Sequence, residues 1–230
     1  MNSTPTPPLV SVVIRTMARP TLTRALASVS AQTWRPLEVV LVDAAGTGNA
    51  TRDYADVPVQ VVSTCARLDR PRAANAGLAA ARGAWITFLD EDDTVEPDHV
   101  ALLLAAATLA DLPVAYGQTR LIGPDGVQRL FGGPFSRAAL LRSNYIAIHS
   151  ALFSRAFVDR GIRFDESLAT FEDWDFWLQL SAETDYAFTG KATAIYRAAA
   201  GESGAGAGPN LDREAALAQR NRLMQKWQAL

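Results

Sequence analysis

The chain has 230 residues, of which 49% are hydrophobic and 20% charged, with a net charge of −2. This composition describes one sizeable α/β domain and lacks the basic excess of a nucleic-acid-binding protein, so no nucleic acid partner is expected. A single cysteine, Cys65, excludes an intrachain disulfide, and with only His99 and His149 beside it a zinc cluster of the usual spacing is excluded too. The opening MNSTPTPP lacks the basic start and apolar core of a signal peptide, and the longest apolar run, Val100 to Ala110, is too short to span a bilayer. The expected location is the cytoplasm.

In chain order, the β-branched run Leu9 to Ile14 predicts a first strand, and Pro20 opens a helix through Ser30 with Leu22, Leu26 and Val29 on one face. Leu37 to Val42 predicts a second buried strand, ended by Asp43 and the loop AAGTGN. Val57 to Val62 is a third. Pro71 starts a helix carrying Ala74, Leu78 and Ala81, with Gly83 as its C-cap. Trp85 to Leu89 is the fourth strand, and Pro97 leads into a helix from Asp98 to Ala110. Alternation at this spacing predicts a mostly parallel central sheet with helices on both faces, a Rossmann-like arrangement.

After residue 113 the rhythm changes to a smaller mixed half. Val114 to Leu121 and Val127 to Leu130 flank a Gly-Pro-Asp-Gly turn and read as a hairpin. A short helix over Phe135 to Leu141, a strand over Ala147 to Phe153 and a helix over Glu172 to Ala182 follow. Tyr186 to Phe188 and Ala194 to Tyr196 read as two short strands, Ala198 to Pro209 as a mobile Gly/Ala-rich stretch, and Asp212 to Gln228 as a last helix.

The segment WITFLDEDD, Trp85 to Asp93, carries the strongest chemical signal. An apolar strand ends in Asp90, Glu91, Asp92 and Asp93, and such crowding of like charge asks for a cation. The carboxyl ends of strands are where open α/β sheets bind ligands, and carboxylates there suit a hard divalent ion that also grips a phosphate. In an extended Asp-x-Asp pair, alternate side chains share one side, so Asp92 and Asp90 are the candidate metal ligands.

Asp43, after the second strand, reads either as a group that hydrogen-bonds a nucleoside or as an ordinary turn aspartate. Arg72, or equally Arg70, lies at a helix start where a guanidinium could fork onto a phosphate, and Asn75 one turn on could cap or brace that loop. Glu172 and Asp173 open a helix; as acids there they complement its dipole, and Asp173 is the candidate general base, with Glu172 bracing the loop. His149 reads more readily as structural than as a ligand. The basic amphipathic last helix packs on its own domain, or else touches an anionic membrane or a second copy of the chain.

These residues resemble a known family, the family 2 glycosyltransferases of the GT-A nucleotide-diphospho-sugar transferase fold, from Val10 to about Arg197. VSVVIRT, ending at Thr16, with Arg19-Pro20, looks like the family's opening strand and turn. ASVSAQTWRPLEVVLVD looks like its first helix and second strand, AANAGLAAARGAWITFLDEDD like its third helix and Asp-x-Asp strand, and FDESL with FEDWDFWLQL like its acceptor-side motif.

The resemblance implies inverting transfer of a sugar from a UDP-, GDP- or dTDP-linked donor to a glycan or lipid-linked acceptor in polysaccharide biosynthesis. It implies Mg2+ or Mn2+ on Asp92 and Asp90, donor contacts at Thr16, Asp43, Arg72, Asn75 and Asp90, and catalysis by Asp173 with Glu172. The chain would be a single GT-A domain: a donor half over 9–112, an acceptor half over 113–197, and a linker and helix over 198–230. Peripheral attachment at the inner membrane face would suit such an acceptor. Four positions depart from the family pattern: Ala44 where a second acid is frequent, Ala18 for a common asparagine, Arg15 for a frequent proline, and AAAGESG where a histidine often follows Tyr196-Arg197.

Two other readings compete. Asp90 to Thr94 also fits the D-x-D-x-T nucleophile motif of haloacid-dehalogenase-like phosphatases. That chemistry wants a lysine before the later acidic pair, and none occurs between Asp93 and Asp173. A non-catalytic sugar- or nucleotide-binding module would keep the same fold.

Overall fold

The computed structural model describes residues 6–48, 56–123, 125–126, 128–198 and 213–228. The first β-branched run forms β1 (Val10–Thr16), buried along its whole length between β2 (Leu37–Asp43) and β4 (Trp85–Asp90), both parallel to it. β3 (Val59–Ser63) adds outside β2, again parallel. Register sets Thr16 opposite Asp43 and Arg15 opposite both Val42 and Asp90, so three carboxyl ends finish level.

Helices α1 (Leu22–Ser30) and α3 (His99–Ala110) cover one face of this sheet, joining Leu26, Val29, Leu103 and Leu104 to Val12, Ile14 and Leu41. α2 (Arg70–Ala80) covers the other. It begins at Arg70, with Asp69 as N-cap accepting from the Arg72 amide at 3.1 Å. α2 lies unusually close to the sheet, because a Cβ at Gly77 would fall 2.3 Å from Cγ1 of Val13. Gly83 is not a helix cap: α2 ends at Ala80, and a Cβ at Gly83 would meet the Ser11 amide at 2.6 Å, so the glycine serves a close backbone approach.

The mixed half continues the same sheet. After the two-residue β5 (Thr94–Val95) come β6 (Val114–Ile122), β7 (Gln128–Phe131), β8 (Ala151–Ser154) and β9 (Ala187–Arg197). β6 and β7 form the expected antiparallel hairpin, β8 lies antiparallel between β4 and β6, and β9 runs parallel to β6 and pairs with β5. The whole order is β3-β2-β1-β4-β8-β6-β9-β5.

Two expectations are corrected here. The two short strands near the end are one strand, β9, carried through a register shift opposite Gln118. The strand expected from Ala147 opens with a 3-10 turn over Ile148–Ser150, and only Ala151 onward pairs.

α4 (Arg137–Leu140) and α5 (Ala156–Asp159) are single turns. α6 (Glu172–Ser181) buries Phe176, Trp177, Leu178 and Leu180 in the same core as α2, with Phe164 stacked on Phe176 at 4.2 Å between ring centroids. α7 (Arg213–Gln228) packs on its own domain through Leu223 and Trp227. The Gly/Ala-rich stretch, apart from Ala198, lies outside the described residues, as does Asp212. Among the described residues, no helix is long and apolar enough to cross a membrane.

Candidate active site at the strand ends

The four acids after β4 divide the work. Glu91 turns inward, 3% exposed, and accepts from Thr16 Oγ1 at 2.6 Å and from the amides of Met17 and Arg19 at 3.0 and 3.1 Å. It therefore shapes the loop between β1 and α1. Asp90 faces Arg15, whose Nη2 donates to both carboxylate oxygens at 2.7 and 2.9 Å and whose Nε donates to Oδ1 at 2.9 Å. Burial alone would raise the Asp90 carboxyl, but Arg15 and then Arg70 hold it below its ordinary value.

Asp92 meets Arg19 Nη1 at 3.2 Å and stays partly open, its carboxyl raised by burial and next by the charge of Asp90. Asp93 is buried and accepts from the Arg197 amide at 3.2 Å, with His149 Nδ1 also 3.2 Å away. Burial raises the Asp93 carboxyl well above its ordinary range and lowers His149 to about 4. His149 thus sits in the core, stacked near Tyr196.

Above these ends lies a cavity of about 100 Å³, lined among others by Arg15, Thr16, Arg19, Arg70, Asp90 and Asp92. A larger, shallow depression of about 410 Å³ at the opposite ends of the strands, by Val59 and Arg82, gathers no acids. Of the expected donor contacts, the fold brings Thr16 and Asp90 to the cavity. Asp43 is 1% exposed and turned into its own loop, accepting from the amides of Gly46 at 3.0 Å and Gly48 at 2.7 Å; Ala44 lines the cavity in its place. Arg72 lies between Asp69 at 2.5 Å and Glu166 at 3.3 Å, leaving Arg70 on the cavity wall. Asn75 braces the segment before α6, bonding both the amide and the carbonyl of Phe164 at 2.9 and 3.0 Å.

At the start of α6, Glu172 is buried and receives Arg15 Nη1 at 3.3 Å. Asp173 is half-buried, and its Oδ2 accepts from Asn144 Nδ2 at 3.0 Å. Burial first, and the neighbouring Glu172 charge second, push Asp173 up to about 7. A carboxyl poised there can take a proton from a hydroxyl near neutral pH.

A divalent ion could be held from Asp92, whose carboxyl is raised by burial and by the charge of Asp90, which a cation would relieve; both oxygens of Asp90 are taken by Arg15. Among the described residues no three His, Cys, Asp or Glu side chains converge as a closed metal cage.

Sequence reasoning passed over Arg15 as a working residue, although a charge inside a β-branched run was a visible signal. It also passed over Asn144, for which the irregular stretch before Ile146 carried none. Asp175, fully buried in α6, was missed as well: it receives Lys226 Nζ at 2.9 Å, Trp227 Nε1 at 2.8 Å and Gln179 Nε2 at 2.8 Å.

A parallel four-strand unit joined to a mixed half, with an Asp-x-Asp pair at the junction and an acid-headed helix beside it, defines a nucleotide-sugar transferase fold of the GT-A class. The chain belongs to glycosyl transferase family 2, whose model matches residues 11–163. It is 32% identical over 188 residues to the succinoglycan biosynthesis protein ExoO of Rhizobium meliloti (strain 1021), covering 73% of this chain and 54% of that protein. It is 26% identical to the uncharacterized glycosyltransferase YwdF of Bacillus subtilis (strain 168), over 77% of this chain and 69% of that one. The chain thus spans about half the length of ExoO.

Among solved structures, S. aureus TarS 1-349 in complex with UDP superposes with a TM-score of 0.66 at 20% identity, covering 94% of this chain and 64% of that one. The mannosyltransferase PcManGT from Pyrobaculum calidifontis, in complex with GDP-Man and Mn2+, gives 0.65 at 19% identity, over 96% and 63%.

Proposed function

We propose that this chain transfers a sugar from a nucleotide-diphosphate donor to an acceptor hydroxyl with inversion, in the assembly of a polysaccharide or other glycan. The observation that carries the reading is the place of Asp173: it opens α6, is held by Asn144, and stands next to Glu172, whose carboxylate meets Arg15 on the cavity wall, while burial and the Glu172 charge raise its carboxyl. Asp173 accepts the proton of the acceptor hydroxyl as its oxygen bonds to the anomeric carbon. The bond from that carbon to the diphosphate breaks on the opposite side, and the electron pair leaves with the nucleoside diphosphate. Asn144 holds the base in place.

Arg19 and Arg70 line the diphosphate's side of the cavity. Asp92 would hold a Mg2+ or Mn2+ ion, with Asp90 kept beside it by Arg15, and the ion when bound would supply charge neutralisation at the leaving group. Support comes from relatives: the TarS structure contains UDP, and the PcManGT structure contains GDP-Man and Mn2+. Phosphoryl chemistry on Asp90 is disfavoured, since both its oxygens are engaged by Arg15 and none stands free as a nucleophile. The location we infer is cytoplasmic, with the exposed basic face of α7 available to an anionic membrane or a second copy.

Calorimetric titration of UDP and GDP, with and without Mn2+, into the wild type and Asp92→Ala tests the metal arm. A diphosphate brought to this acid cluster without a cation meets like charge. Mn2+ should therefore tighten binding in the wild type and not in the variant. For each nucleotide, equal affinity in its four titrations would remove the metal reading.

A further inference from the structure

Arg15 occupies an unusual place for a charge. It is the penultimate residue of a fully buried strand, its side chain is 7% exposed, and its guanidinium carbon lies over the Phe88 ring, 6.0 Å from the centroid. Its guanidinium uses three edges at once. Nε and Nη2 grip Asp90 at the end of β4, and Nη1 reaches Glu172 Oε1 at 3.3 Å on α6 and the Arg70 carbonyl at 3.5 Å on α2. The end of β4 and the start of α2, both on the cavity wall, are thereby joined to the start of α6 through one planar group.

Such an arrangement is poorly explained by stability. Taking an arginine and two carboxylates out of water costs desolvation that the attraction often only offsets, and apolar residues of similar size do as well or better. What a buried fork gives instead is fixed geometry, since guanidinium donors are rigid and point in set directions. The residue after Glu172 is Asp173, so the contact at 3.3 Å fixes the first turn of α6 against the end of β4.

We propose that Arg15 is a positioning residue for the base: through Glu172 it sets where Asp173 stands relative to Asp90, and so relative to a donor lying over the strand ends. The inference rests on Asp173 being the base as read above. Glu172 in this scheme is not a proton acceptor but the handle by which Arg15 holds the helix. A lysine at 15 would keep the charge and could reach one acid, but it lacks the fork that reaches two.

The test uses the full chain with Arg15→Lys, Glu172→Gln and the double variant. Melting temperature, UDP affinity by calorimetry with Mn2+, transfer kcat and KM, and amide hydrogen exchange over residues 172–176 are measured for each. Arg15→Lys and Glu172→Gln should each lower kcat by roughly 10-fold or more, and Glu172→Gln, whose side chain is not part of the cavity lining, should leave UDP affinity and donor KM within about 2-fold, because there the base moves and the donor site does not. The double variant should lose no more than the worse single one, as expected for residues acting through one contact. Exchange in the first turn of α6 should quicken in all three.

Full kcat in Arg15→Lys, or losses in the double variant that simply multiply, would overturn the assignment. So would a lowered melting temperature with kcat and exchange unchanged. If the wild type transfers no sugar from any donor, the functional reading fails by itself. Exchange at residues 172–176 then decides Arg15 alone: faster in Arg15→Lys upholds the brace, and unchanged removes it.

Discussion

Asn144 donates from Nδ2 to Oδ2 of Asp173 at 3.0 Å, while Oδ1 of the same carboxylate accepts from the Trp174 amide at 2.7 Å. The side chain is thus oriented from two sides, although burial and the Glu172 charge keep its proton affinity high, at about 7. The high basicity comes from burial and Glu172, against the Trp174 amide, which orients the side chain and pulls its proton affinity down. The raised carboxyl makes the role of Asp173 testable in two independent ways.

The first is kinetic. Below pH 7 Asp173 carries its proton and cannot take another, so kcat for transfer should rise with pH through about 7 and then level. Asp173→Asn should lower kcat by roughly 100-fold or more and remove that rise, with UDP affinity unchanged. Rate against pH for both enzymes, with calorimetric binding alongside, checks it. Full turnover in the variant would end the base assignment.

The second is thermodynamic. The folded-state value of about 7 lies above the ordinary 3.8, so between those pH values the native protein binds the proton more tightly than the unfolded chain. Stability from this group is therefore fully present below about pH 4 and lost as pH rises to about 7. An amide does not ionise. The melting temperature of Asp173→Asn, minus that of the wild type, should thus move upward as pH goes from 4 to 8. A difference independent of pH would mean the carboxyl is not raised.

A third expectation concerns the C-terminal helix. Asp175 is fully buried two residues beyond the base, and α7 supplies two of its three side-chain donors, Lys226 and Trp227. Trp227→Phe keeps most of the packing but removes one hydrogen bond to a buried charge, a loss of about 2 kcal/mol. For a domain of this size that corresponds to a drop of roughly 4–8 °C in melting temperature. Thermal melts of the two proteins decide it, and an unchanged midpoint would mean that α7 does not secure α6.

The parallel half was largely legible because its signals are local. β-branched runs gave β1 and β2, and Pro71 with Pro97 marked where helices begin. The run into Asp90 located the site, as a strand end must. The unread parts depend on partners far along the chain. Arg15 was visible as a charge in an apolar strand, but the carboxylates that give it meaning lie 75 and 157 residues away.

Asp43 could be read in sequence as a nucleoside contact or as a turn aspartate, and only the folded loop brings the Gly46 and Gly48 amides onto its two oxygens. β9 read as two pieces, but it runs on through Gly190, which has φ +66°, and β6 approaches so closely there that a Cβ at Gly117 would lie 2.7 Å from the Lys191 carbonyl. A strand held by its neighbour can pass through a sequence that would otherwise end it.

The seating of α2 over Gly77 bears on how such a site could change its ligand over evolution. Arg70 and Asp69 stand at the amino end of that helix and form one wall of the cavity, whereas Gly77 lies two turns away under Val13 and Val42. A side chain at 77 would overlap Val13 and press on Val42, so those side chains or α2 itself must give, and α2 carries the cavity wall at its amino end. Where α2 gives, the width of the cavity is controlled from a position that no ligand touches. A lineage could widen it for a bulkier donor in one step, while every residue facing the ligand stayed the same.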